Sequence, residues 1–198
     1  MSGPEIATLL VFLLPLAYSP GPGNLFFAAS GARFGFGATL AASLGYHLAT
    51  WIVTVGLGLG FAGIVAGGGG VALAIRIAGS AYVFWLAAGF LRAGLSAAAP
   101  APRRAGFFGG CLLLLLNPKA YVIIMLMFSQ FLTGQSSTPP GILAIATIFT
   151  LNNCVAFTLY TLAGERLART VRDPDRARLL NIVFGLVLAG VASWMALA

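Results

Sequence analysis

The sequence predicts an all-α integral membrane protein: six transmembrane helices forming two inverted three-helix repeats, each opening on a broken helix. Three observations predict it. Only 8% of the 198 residues are charged and 60% are hydrophobic, whereas a soluble domain carries roughly 25% charged residues. The arginines fall in alternate gaps between long apolar runs. Two of those runs, in corresponding places of the two halves, are interrupted by proline in mid-course.

A helix needs about 20 apolar residues to span a hydrocarbon layer ~30 Å thick. Six segments qualify, about 6–30, 38–65, 71–94, 107–133, 140–163 and 179–197. The first is apolar enough to mimic a signal peptide. It lacks a basic start, however, Glu5 is its only early charge, and "SPGPGN" (Ser19–Asn24) is not a small-x-small cleavage site, so it is read as a retained span. The gaps carry turn chemistry: "GARFGFG", "GGGG", "AAAPAPRRAG", "TGQSSTPPG" and "GERLARTVRDPDRAR". No soluble domain fits between them. The chain therefore reads as one transmembrane transporter domain, 1–198, with repeat one at about 1–96 and repeat two at about 106–198.

The net charge of +7 is spread over short gaps rather than gathered into a patch, which points to membrane topology and not to nucleic acid. Arg33 follows span one. Arg92, Arg103 and Arg104 follow span three. Arg166, Arg169, Arg172, Arg176 and Arg178 follow span five, and only Arg76 lies on the opposite side. The excess of arginine on one side places those gaps in the cytoplasm and both termini outside. Each half has an odd number of spans, so the halves must have opposite orientations.

Lipid cannot satisfy freed backbone N–H and C=O groups, so a broken span survives only where protein or a water-filled cavity surrounds it. The breaks are "SPGPGN" in the first span and "NPK" (Asn117–Lys119) in the fourth. Paired proline-interrupted spans in corresponding positions are the best sequence pointer to a transporter's binding site. At 1.5 Å per residue, Pro20 lies about 21 Å past Ile6 and Pro118 about 17 Å past Phe107. Both breaks then fall near mid-membrane, where antiparallel helices bring them side by side.

The candidate substrate-binding residues are accordingly Pro20, Gly21, Pro22, Gly23, Asn24, Asn117, Pro118 and Lys119. A lysine at mid-membrane costs ~2.5–3.5 kcal/mol on insertion scales, and no acid lies within any span to pair with it. Lys119 therefore meets a transported carboxylate or changes protonation during transport; alternatively it snorkels or caps the carbonyls freed at the first break. Its ammonium is expected in the interior, beside that break. Asn24 and Asn117 either bind substrate or satisfy broken backbone. Carbonyls freed around Pro20, Pro22 and Pro118 offer acceptors for a substrate ammonium, and Gly21 and Gly23 permit close backbone approach. His47 in span two and Asn152 and Asn153 in span five mark matching depths as a candidate polar relay, or as interhelical hydrogen bonds. Gly56 and Gly60 make a GxxxG that reads as helix packing. Tyr46, Trp51 and Tyr121 read as aromatic core or as path lining. Cys111 and Cys154 form neither a disulfide framework nor a metal-ligand spacing. No catalytic set, metal site or cofactor is expected.

"SPGPGNLFFAASGARFGFG" together with "LLNPKA" resembles the lysine/homoserine exporter family (LysE/RhtB), small bacterial inner-membrane amino-acid exporters. "AGSAYVFWLAAGFLRA" looks like that family's third span, and the ending "NNCVAFTLYTLAGERLARTVR…LLNIVFGLVLAG" looks like its branch of cysteine and O-acetylserine exporters. The resemblance covers the whole chain. Two places depart from the pattern: Gly23 stands where Asn or Asp commonly follows the second proline, and Thr50 stands where many members carry an acid in span two. The resemblance implies antiport-type export of an amino acid or derivative across the inner membrane, driven by protons. Its partners would be a small zwitterionic substrate, protons and the lipid bilayer, with room for a homo-oligomer. A membrane-embedded enzyme using His47 and Lys119, and a carrier of a metal ion or another small solute, are the competing classes.

Overall fold

The computed structural model describes residues 1–65, 104–132 and 138–170 continuously, with single positions between 77 and 92 and between 179 and 193. The expected spans at 71–94 and 179–197 lie outside the continuously described residues, and the six-span count with them. Among the described residues all regular structure is helical: α1 (Gly3–Tyr18), α2 (Pro22–Phe34), α3 (Phe36–Val65), α4 (Phe107–Leu115), α5 (Pro118–Phe131) and α6 (Pro139–Thr170).

Local chemistry sets the helix ends. Ser2 and Glu5 form a capping box at the start of α1. Pro20 keeps Ser19 extended and stops α1. Pro22 then starts α2 in its first turn, where a missing N–H costs nothing, and the two helices meet at 63°. Pro118 does the same for α5, and α4 and α5 also meet at 63°. Both expected breaks are therefore present, each as a bent helix pair. Within α3 and α6, Phe36–Gly60 and Pro139–Ala168 are long and apolar enough to cross a membrane.

Two gaps are shorter than the sequence suggests. "GARFGFG" contains a single non-helical residue, Gly35 with φ 79°. That left-handed conformation is open to glycine at little cost, and the Glu165 carboxylate accepts the Phe36 N–H at 3.2 Å to seal the start of α3. Helix α6 continues beyond 163 to Thr170. Leu162, Ala163, Glu165, Arg166 and Leu167 are good helix formers, and Gly164 is held against the Ala28 carbonyl of α2. The Phe36–Glu165 bond joins the first and fifth gaps. Phe34, Thr39 and Arg104 line one cleft that joins the first and third. Arg33, Arg104 and Arg166 consequently belong to one end of the molecule, called here the basic end.

Leu40, Leu44, Leu48 and Ile52 form an exposed row on α3, and Leu151, Val155 and Leu159 are exposed on α6. Buried residues include Asn24, Thr39, His47, Thr50, Thr54, Asn117, Asn153 and Thr161. Apolar outside with polar groups inside is the arrangement of a multi-pass membrane protein. The interior has two apolar clusters. One, toward the basic end, gathers Phe26, Phe27, Tyr46, Leu113, Leu114 and Phe157. The other gathers Leu9, Leu13, Ile124, Met127, Ile145 and Phe149.

Glycines set how closely the helices cross at the basic end. A methyl on Gly31 would strike the Thr161 carbonyl, and one on Gly164 the Ala28 carbonyl, so α2 and α6 touch backbone to backbone. Gly45 against Phe107 and Gly110 against Ala42 do the same for α3 and α4. Gly56 is exposed, and a methyl there meets nothing within 4 Å among the described residues, so no described helix packs against it. It lies about three turns beyond Gly45, past the place where α4 crosses. Gly110→Ala should therefore cost about 2 kcal/mol or more through overpacking against rigid backbone. Gly56→Ala should stay within about 0.5 kcal/mol of wild type. Thermal midpoints of the two purified variants in detergent check the difference.

Candidate functional site

A broken span leaves the last four carbonyls of its first helix without helical partners. At the end of α1 the Ser19 N–H serves Pro15 O, and the last three carbonyls and that of Ser19 are each satisfied by a different side chain. Leu16 O accepts from Ser19 Oγ (3.1 Å) and Ala17 O from Asn24 Nδ2 (3.0 Å). Tyr18 O accepts from Tyr160 Oη (2.9 Å) and Ser19 O from Lys119 Nζ (2.6 Å). Each of these carbonyls therefore already accepts one protein donor, which leaves a second lone pair on each.

Lys119 sits in the first turn of α5, next to Pro118, and its side chain crosses to the first break. The ammonium also donates to Ser19 Oγ at 3.0 Å. Two of its three N–H groups are thus used, and the third is available. Gly21 makes the crossing possible, because a methyl there would lie 2.7 Å from Lys119 Cδ. Gly23 does the equivalent for the cluster behind it: a methyl would lie 2.8 Å from the Phe157 ring and 3.3 Å from Tyr46 Oη.

Between the two apolar clusters, at the level of both breaks, lies a small, partly open cavity of about 20 Å³. Its polar lining is Asn24, Tyr46, Asn117, Lys119 and Asn153. Leu16, Ile123, Phe149 and Phe157 supply apolar walls, and no acid is among the lining residues. That space holds about one water molecule, so anything larger enters only if the walls move apart. Neither helix that starts beside it has a side-chain cap: α2 begins at Gly21 and α5 at Asn117, without a capping hydrogen bond at either. Asn24 and Lys119 in those first turns line the cavity, so two positive helix ends and one ammonium meet there.

His47 lies behind this wall rather than on it. Its ring packs edge-on against Tyr46 and Phe157. Nδ1 is 2.7 Å from the Ser43 carbonyl, which can only accept, so Nδ1 carries the proton and Nε2 is the free nitrogen of the neutral ring. Nε2 is buried without a hydrogen-bond partner.

Of the expected residues, the structure brings Asn24, Asn117, Lys119 and Asn153 together on the cavity. Gly21, Pro22 and Gly23 are buried at its edge. Pro20 is exposed and Asn152 lines no part of the cavity; each is displaced because its immediate neighbour in the helix or turn takes the inward position. Pro118 starts α5, and its backbone place is all that is described. Of the two readings of Tyr46, core or path lining, the structure shows both, since it is buried and lines the cavity. Ser19 and Phe157 were missed as site residues; the serine stood inside the quoted motif, but nothing in an apolar run separates a lining aromatic from a packing one.

Comparison with known proteins bears on what such a cavity handles. A family model described as "LysE type translocator" matches residues 14–198. The chain belongs to that family. Among LysE relatives it is 30% identical to an uncharacterised membrane protein of Vibrio cholerae, over 98% of this chain and 95% of that one. It is 28% identical to a homoserine/homoserine lactone efflux protein of Salmonella typhimurium, over 92% and 91%. It is 27% identical to a leucine efflux protein of Klebsiella pneumoniae, over 96% and 93%. The last two are named as efflux proteins and not as enzymes. No solved structure matches the chain.

The Gly23 contact gives a direct test of the site's packing. Gly23→Ala should lose about 1–3 kcal/mol, since an aromatic ring must move. Phe157→Leu in the same chain should restore much of that loss. A double-mutant cycle on thermal midpoints measures the coupling.

Proposed function

We propose that this LysE-family chain is a secondary transporter that exports a small neutral amino acid or derivative across the bacterial inner membrane in exchange for protons. One observation carries the reading: a lysine ammonium with one free N–H faces an acid-free cavity where two broken helices meet. Half-helix N-termini at such a junction favour a substrate carboxylate. The names of the homoserine and leucine efflux relatives support an amino acid as cargo. They do not single out the cysteine and O-acetylserine branch.

The equal 63° bends, and the polar pair of His47 on α3 and Asn153 on α6, support two inverted repeats of three spans. The shared basic end supports a topology with the arginine gaps in the cytoplasm and both termini outside. His47 is the candidate proton carrier, through Nε2.

Counterflow of labelled leucine and homoserine in proteoliposomes tests the cargo. Lys119→Ala should lower the rate at least about tenfold, the loss of one hydrogen bond between charged groups, while the thermal midpoint shows a folded protein. Lys119→Arg should retain part of the rate, because a planar fork replaces a compact ammonium. Wild-type rates in Lys119→Ala would leave the lysine only a backbone-capping role.

His47→Gln tests the coupling. Exchange of leucine at equal pH should persist, and the acceleration by an imposed pH gradient should vanish. Retained acceleration would remove His47 from the proton path.

A further inference from the structure

The cavity has a donor for a carboxylate, and the carbonyls at the first break each already accept one protein donor. The side chain of Asn117, at the second break, has an oxygen that accepts none. Asn117 holds the N-cap position of α5, where asparagine is among the best capping residues, and yet it makes no capping hydrogen bond. Its Nδ2 donates instead to Tyr46 Oη at 3.1 Å. Its Oδ1 is buried with no partner, alone in this among the described residues lining the cavity. Asn117 is 4% exposed and Tyr46 1%, so this is an orphan acceptor in a place where an unpaired polar atom is costly. Tyr46 is in turn wedged by rings: Phe157 lies 4.7 Å from it, His47 5.4 Å and Phe27 6.0 Å between centroids.

We propose that Tyr46 is a positioning residue which draws the Asn117 amide off the helix end, so that Asn117 Oδ1 accepts a hydrogen bond from the substrate's α-ammonium. The inference rests on the amino-acid efflux reading and deepens it. In an α-amino acid the ammonium and the carboxylate sit on one carbon. Asn117 and Lys119, two residues apart in the first turn of α5, both line the cavity and take one end each. A neutral amide oxygen discriminates by hydrogen bonding: an ammonium offers three N–H donors, whereas the hydroxyl of a 2-hydroxy acid offers one weaker donor. The site therefore selects an amine-bearing carboxylate without a buried acid.

The test compares equilibrium binding of L-leucine and of its 2-hydroxy analogue, 2-hydroxyisocaproate, to the purified full chain, with L-homoserine as a second amino-acid probe. Wild type should bind leucine about tenfold or more tightly than the hydroxy acid, the worth of one charge-assisted hydrogen bond. Tyr46→Phe keeps the ring packing and removes only the hydroxyl, freeing Asn117 to cap α5. It should weaken leucine about tenfold and leave the hydroxy acid within about twofold, which erases the preference. Asn117→Ala should produce the same selective loss, and carries the comparison if Tyr46→Phe does not fold. Equal weakening of both ligands in these variants would mean a merely structural role and would overturn the proposal. So would a wild type that binds both ligands alike, an outcome that leaves the efflux reading standing. If the wild type binds neither amino acid, the efflux reading falls and this inference with it.

Discussion

The rest of the structure depends on the bond from the Lys119 ammonium to the Ser19 carbonyl. A helix interrupted inside a membrane exposes backbone acceptors that lipid cannot satisfy, at several kcal/mol for each group left bare. The first break solves this by importing donors. Ser19 comes from the break itself, Asn24 from α2, Tyr160 from α6 and Lys119 from α5. Three further helices are thereby tied to the end of α1. The break is a junction more than an interruption, and the polar groups that make it tolerable in lipid are the ones that surround the cavity.

Lysine also solves a problem of its own by this arrangement. A charged group at this depth is expensive, and the lining offers no counter-charge. A carbonyl and a hydroxyl from one serine replace part of its hydration, and Gly21 supplies the space for its stem. Above and below this junction the two apolar clusters differ in kind. Toward the basic end, glycines bring main chains into contact at two crossings. At the other end Leu9, Leu13, Ile124, Met127 and Phe149 pack through side chains. Side-chain packing can yield by rotamer change, while backbone contact yields only if whole helices move.

Much of this was legible in the sequence, for physical reasons that can be named. The cluster "SPGPGN" and the triplet "NPK" disfavour helix where Pro15 is accommodated inside α1, so both breaks could be placed, and the lone lysine among them had to seek a polar partner. Other features depend on tertiary geometry. The gap "GARFGFG" looked like a loop because three glycines suggest one, yet only Gly35 needs a positive φ, while Gly31 is spent on a helix crossing. Gly56 and Gly60 had the right spacing for packing, but spacing does not reveal where a neighbouring helix passes. The acceptors at a break can be counted from the sequence, but the donors that fold onto them cannot, among them Tyr160, 142 positions away from Tyr18. Tyr46 could be read only as core or path lining for the same reason: its bond is to Asn117, 71 positions away.

The electrostatics of the cavity narrow the cargo on the proposed reading. The uncapped starts of α2 and α5 and the Lys119 ammonium all favour negative charge, and the lining carries none. A carboxylate entering this space neutralises the lysine in a low dielectric, where the attraction is strong. An α-ammonium arriving on the same molecule restores a single positive charge, which neutral acceptors such as an amide oxygen can carry. A basic side chain would add a second positive charge beside two positive helix ends and a lysine, with no carboxylate to receive it. Like charges in such a medium repel by several times what they would in water. Thr50, one turn along α3 from the cavity-lining Tyr46, is buried and spends its hydroxyl on the Tyr46 carbonyl, so that turn of α3 offers no acid. On that reading the cargo is an amino acid whose side chain is uncharged and compatible with walls of Leu16, Ile123, Phe149 and Phe157.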